Sequence, residues 1–105
     1  MTLVEMVTMI GDDLTLIDKR LQTPGLSDSD WQAIYALRKH LDDQQRDLVG
    51  KAIKEGSPKY KSLTTQLTSA SDDLKKAVGE LKKVSKAISA ISQVAAVVDQ
   101  IIKLA

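Results

Sequence analysis

The chain has no cysteine and no phenylalanine, two prolines, five glycines and a single histidine, His40. Its only aromatic residues are Trp31, Tyr35 and Tyr60. Each shortage excludes something. Without cysteine there is neither a disulfide framework nor a thiolate metal site. His40 and Asp43 can share a helix face, but one histidine and one carboxylate do not fill a metal shell. So few aromatics leave little with which to line an enzyme pocket or stack nucleic-acid bases. The glycines at 11, 25, 50, 56 and 79 are scattered, so no phosphate-cradling loop is present. One histidine among many serines forms no recognisable nucleophilic triad. No stretch is long and apolar enough to span a membrane. Residues 2–10 are interrupted by Glu5, with no basic segment before them and no small-residue cleavage site after, so they do not read as an export signal. These absences lead us to expect a non-enzyme with no metal, cofactor or small-molecule substrate. The default location is cytoplasmic, with export that needs no cleaved signal left open.

What the chain does contain is helix. Its 105 residues suit one all-α domain, 1–105, rich in Ala, Leu, Lys, Asp and Gln. In the first segment Leu3, Val7, Ile10, Leu14, Ile17 and Leu21 step by four and three, widened by Val4 and Met6, which predicts a helix over 2–21. Pro24-Gly25 breaks it. Ser27 is a cap for a second helix, with Asp28 and Asp30 at its positive end and Leu26 placed to staple onto Trp31. That helix is expected over 28–55, stopped by Gly56. Its stripe of Ile34, Leu37, Leu41 and Leu48 is spoiled where Gln44 or Gln45 falls. Ser57 and Pro58 then form a second cap and first helical position.

From there one pattern runs to the end: Tyr60, Leu63, Leu67, Ala70, Leu74, Ala77, Leu81, Val84, Ile88, Ile91, Ala95, Val98, Ile102 and Ala105. The steps of three and four never slip, so the expectation is a single long, heptad-patterned third helix over 58–104, in an antiparallel three-helix bundle. The alternative is a four-helix bundle with a break near 69–73, where "TSASDD" has the composition of a helix start.

The apolar stripe broadens toward the C-terminus. If the third helix is continuous, its end outruns the first two and needs a cover. Ile88, Ile91, Val94, Val97, Val98, Ile101, Ile102 and Leu104 are therefore the expected partner-binding residues. The partner would be a second copy or another helical protein. The alternative is a membrane-active or membrane-surface role, with the same residues in the interface and Lys82, Lys83 and Lys86 on anionic headgroups. The lysines at 75, 76, 82, 83 and 86 have no arginine or aromatic interleaved, which argues against nucleic acid.

The formal charge is +1, unevenly shared. Residues 1–55 carry ten acidic and seven basic side chains, residues 56–105 four and eight. Pairing between the halves is the simplest use of this asymmetry. The doublets Asp12-Asp13, Asp42-Asp43 and Asp72-Asp73 read as solvated surface, since neighbours on a helix point about 100° apart. Trp31 reads as a core anchor. In size and helical layout the chain resembles the small helical-hairpin proteins of bacterial secretion systems, although its turn reads "TPGLSDSDW" where one such family has Trp-x-Gly.

Overall fold

A computed structural model describes all 105 residues as four α-helices with no strand. They are α1 (Leu3–Gln22), α2 (Asp28–Val49), α3 (Pro58–Gly79) and α4 (Val84–Ile102). The first three begin where the side chains dictate. Thr2 and Glu5 close a full capping box on α1, each reaching the other's backbone N–H. Ser27 Oγ accepts from Asp30 N at 3.1 Å, and Ser57 Oγ accepts from Tyr60 N at 3.2 Å, with Pro58 in the first turn. Replacing Ser57 with Ala removes that acceptor and leaves the Tyr60 N–H, at a half-buried helix end, unpaired. We expect a loss of about 1 kcal/mol, read as a lower melting temperature, with no change of fold.

The long third helix does not form. The chain folds back at residues 80–83, so the bundle has four helices, and the break is not at 69–73 either, which lies well inside α3. Ser69, Ala70 and Ser71 continue the helix because Ala70 and Ser71 are buried against neighbouring elements. Gly79 is the last residue of α3, and Glu80 leaves the helix at φ −95°, ψ 86°. The turn is held from outside: Arg20 Nη2, on α1, donates to the Leu81 carbonyl at 3.2 Å. Leu81, assigned to the seam, is exposed. The unbroken heptad count is a property of the broad apolar arc past Ile88, through which a seam of several phases can be drawn. The stripe that is buried in α4 comprises Ala87, Ile91, Val94, Ala95, Val97, Val98 and Ile101, whereas Val84, Ile88 and Ile102 are only half-buried.

The second helix is also shorter than expected. It ends at Val49, with Gly50 as its C-cap, and residues 51–57 cross the end of the bundle to reach α3. Ile53 packs on the core from this segment, and the Glu55 carboxylate accepts the Leu3 N–H, adding a second acid to the positive end of α1. The two hairpins, α1–α2 and α3–α4, dock so that α1 lies beside α3 and α2 beside α4, with no contact across either diagonal. Hydrogen bonds give the directions. Asp13 meets Ser71 and Arg20 meets Leu81, so α1 and α3 run parallel, while Trp31 meets Leu21 and Gln45 meets Val7, so α1 and α2 are antiparallel.

The core is a single cluster with contributions from every helix: Met6, Ile10 and Ile17 of α1, Ile34, Leu41 and Leu48 of α2, Tyr60, Leu67 and Leu74 of α3, and Ile91, Val94, Val98 and Ile101 of α4. All of these are 0–1 % exposed. Opposite charges on the two halves do not pair with each other. All six ion pairs stay inside their own half, from Asp18–Arg38, Arg38–Asp42 and Arg46–Asp42 to Lys83–Glu80 and Lys103–Asp99. The asymmetry faces outward.

Candidate functional site

The fold-back of α4 decides the fate of the residues that the tail offers. Ile91, Val94, Val97, Val98 and Ile101 are buried in the chain's own core, and Ile88, Ile102 and Leu104 are half-buried against it. What covers the apolar tail is α2 and α3 of the same molecule. No helix is long and apolar enough to cross a membrane.

The contacts that join the two hairpins are partly polar. Gln44, which spoils the α2 stripe, is buried, and its Nε2 donates to the Ala95 carbonyl at 3.0 Å. Asp13 departs from the surface reading of the doublets. It is buried between α1 and α3, while Asp12, Asp72, Asp73 and Asp43 are exposed. Ser71 Oγ donates to Asp13 Oδ2 at 2.7 Å, and Oδ1 makes no hydrogen bond. Burial raises the Asp13 pKa from 3.8 to about 6, against the opposing pulls of the Ser71 hydroxyl and Lys75. Through the Ser71 hydroxyl this buried carboxyl links α1 to α3.

No three His, Asp or Glu side chains converge as a metal would need. His40 is exposed. A surface hollow of about 440 Å³ between α3 and α4 is lined mainly by Asp73, Lys76, Glu80, Lys86, Ser89 and Gln93. It mixes both signs of charge, with no arrangement that selects one ligand.

A different face stands out by its exposed apolar surface. Along the outer side of the α1–α2 hairpin, α2 presents Trp31, Tyr35, Arg38, Asp42, Arg46 and Val49 in one stripe, at steps of three and four. Trp31 and Tyr35 are not core anchors: they are 36 % and 46 % exposed. They stack on each other with ring centroids 5.1 Å apart and planes 12° apart, and Trp31 Nε1 donates to the Leu21 carbonyl at 3.0 Å. The pair is thus held rigid on the surface, with its indole N–H already used.

At the other end of the hairpin Val4 is 76 % and Val49 68 % exposed. With Leu3, Val7 and Thr8 they line a shallow hollow of about 290 Å³. Between the two ends α1 contributes Thr8, Gly11 and Thr15. The Thr8 hydroxyl donates to the Val4 carbonyl and the Thr15 hydroxyl to the Gly11 carbonyl, so both threonines spend their polar group on their own helix. Gly11 lets α2 approach: a Cβ there would sit 3.2 Å from Gln45 Nε2, whose own donor goes to the Val7 carbonyl at 2.9 Å.

Charges occupy only the middle of the face. Arg38 Nε and Nη2 bind both Asp18 carboxylate oxygens, at 2.9 and 3.2 Å, which fixes the guanidinium flat across the α1–α2 joint. This pairing raises the Arg38 pKa further. Asp42 forms ion pairs with Arg46 at 3.1 Å and with Arg38 at 3.7 Å. Two cations and two anions leave the centre of the face without net charge.

Comparison with protein-family models, with characterised proteins and with solved structures gives no match to this chain.

Proposed function

We propose that the chain is a non-enzymatic helical interaction module that binds another helical protein surface through the outer face of its α1–α2 hairpin. One observation carries the reading: a rigid, exposed Trp31–Tyr35 stack and an exposed Val4–Val49 patch lie on one face, joined by threonines whose hydroxyls are already satisfied. Exposed aromatic anchors, apolar neighbours and an arginine held in place are the composition of interface centres. The α4 residues expected to bind a partner stabilise the fold that displays this face. A lipid-facing role fits the same face poorly, because four charged groups occupy its middle.

Photo-crosslinking in the host cell tests the reading. A photoreactive amino acid at Tyr35 should yield a discrete protein adduct, while the same group at Thr65, on the exposed side of α3, should not. Absence of any adduct from position 35 would remove the proposal.

A further inference from the structure

The outer stripe of α2 is self-complementary when reversed. The geometry points to a second copy of this chain as the occupant of the face, docked by a two-fold axis that sets α2 antiparallel to its counterpart with residue 40 at the centre. This inference rests on the interaction reading above and names its partner. In that register a residue n of one copy lies opposite residue 80 − n of the other. Trp31 therefore faces Val49, and Arg38 faces Asp42. Tyr35 lies beside Arg46, where a guanidinium can rest on the ring. Each apolar end meets the other apolar end, and each central cation meets an anion. Reversal along the helix is what makes the match: a parallel arrangement would set Arg38 against Arg38 and leave the Val4–Val49 hollow facing its own image without an aromatic to fill it.

Charge selects this face over the rest of the surface. The centre of the face is neutral, with Asp18 and Asp42 balanced by Arg38 and Arg46. The α3–α4 side is net positive and would repel a copy of itself. The Arg46 side chain is the most exposed of the four, at 77 %, and its one ion pair is with Asp42 on its own helix, which leaves it room to reach across.

The size of the face sets the strength. From Trp31 to Val49 is about 27 Å at 1.5 Å per residue, and two packed helices are roughly 20 Å wide. That gives roughly 500–600 Å² per copy, at the small end for a specific complex. The dimer should be reversible and should fill at about 100 µM and above.

Sedimentation equilibrium of the purified chain from about 10 µM to 1 mM should show a rise from monomer toward dimer. Tyr35→Lys and Val49→Glu, both at exposed positions, should each weaken association at least tenfold while leaving helix content unchanged. The orientation is read from a chain that has no cysteine of its own. When Tyr35→Cys and Arg46→Cys variants are mixed under mild oxidation, the disulfide should form between the two variants, because in the antiparallel register same-site pairs are offset by about 15 Å at position 35 and about 18 Å at position 46, too far to bond. A monomer at every concentration, a dimer indifferent to Tyr35→Lys, or same-site disulfides that form as fast as mixed ones would each overturn the inference. The two levels separate cleanly. A purified monomer whose position 35 still yields an adduct with a different protein in the cell overturns the second copy and keeps the interaction face. A purified monomer with no adduct in the cell overturns both.

Discussion

Val98→Asp should abolish the fold. Val98 is 0 % exposed in the core of α4, within a cluster that every other helix joins. The substitution removes the valine's burial, about 1.5 kcal/mol, and places an unpaired carboxylate in an apolar site, which costs at least several kcal/mol more. A domain of this size has roughly 5–15 kcal/mol of stability in total. Circular dichroism should show most of the helix lost at 25 °C, with light scattering excluding aggregation as the cause. Val98→Ala is the control: it leaves a cavity without a charge and should lower stability by about 2 kcal/mol while remaining helical. If Val98→Asp instead kept full helix content, α4 would not be packed inside the bundle, and the three-helix arrangement with a free tail would return.

The second large effect is an unusual pH dependence. Asp13 has a pKa of about 6 in the folded chain and an ordinary value of 3.8 when exposed. A raised carboxyl pKa means that the folded state holds its proton more tightly than the unfolded state does. Its contribution is therefore fully present below the unfolded pKa and is lost as pH rises through the folded one. Between pH 7.5 and pH 4 this single group should add about 2–3 kcal/mol of stability on acidification. Lys75, Asp12 and Asp72 are the charges that act on it, and only Lys75 favours the ionised form. Asp13→Asn isolates the effect. The variant keeps an acceptor for the Ser71 hydroxyl and carries no charge, so it should exceed wild type in stability at pH 8 and converge with it near pH 4. Urea denaturation across that range measures the difference. A variant less stable than wild type at pH 8 would mean that the carboxylate is stabilised in place.

Much of the fold is legible in the sequence, and the parts that are not have a physical reason. Three of the four helix starts are written in short-range chemistry: Ser27 and the Ser57-Pro58 pair point to theirs, and Thr2 with Glu5 completes a box whose parts are visible at the start of α1. The start of α4 has no such signal. Lys83 caps it without a side-chain bond, and "ELKK" is made of good helix formers. The turn there depends on Arg20, which arrives from sixty residues away, so no local window contains its cause. Gly79 was the one local cue, and a glycine alone is compatible with a helix interior at modest cost. Asp13 illustrates the same limit. A doublet of acids looks solvated until the partner helix is known, and Ser71 lies in α3.

The exposed face of the α1–α2 hairpin is harder still to read from sequence. Its apolar members, Val4, Trp31, Tyr35 and Val49, come from opposite ends of two antiparallel helices, and on α2 the stripe that joins them carries charges at Arg38, Asp42 and Arg46, so it shows no apolar period. Val4 widens the α1 seam in sequence, and Trp31, placed to staple onto Leu26, reads as a core anchor, yet both are exposed. Periodicity reports which residues avoid water in an isolated helix, whereas the outer side of a hairpin is set by the angle at which two helices meet. The strong apolar signal of α4 belongs to residues that build the core.

The separation of ion pairs between the hairpins bears on how the chain assembles in time. Each hairpin closes over a turn of only a few residues, between α1 and α2 or between α3 and α4, and the six ion pairs all form within one half of the chain or the other. Contacts so close along the chain form early and fast. Bringing the two hairpins together is a different kind of event: it must strip water from the Asp13 carboxyl, the Arg20 guanidinium and the Gln44 amide, each of which keeps one atom without a hydrogen-bond partner afterwards. The slow step is therefore expected at the seam between hairpins, where it would be set by residues that form no ion pair in the finished bundle.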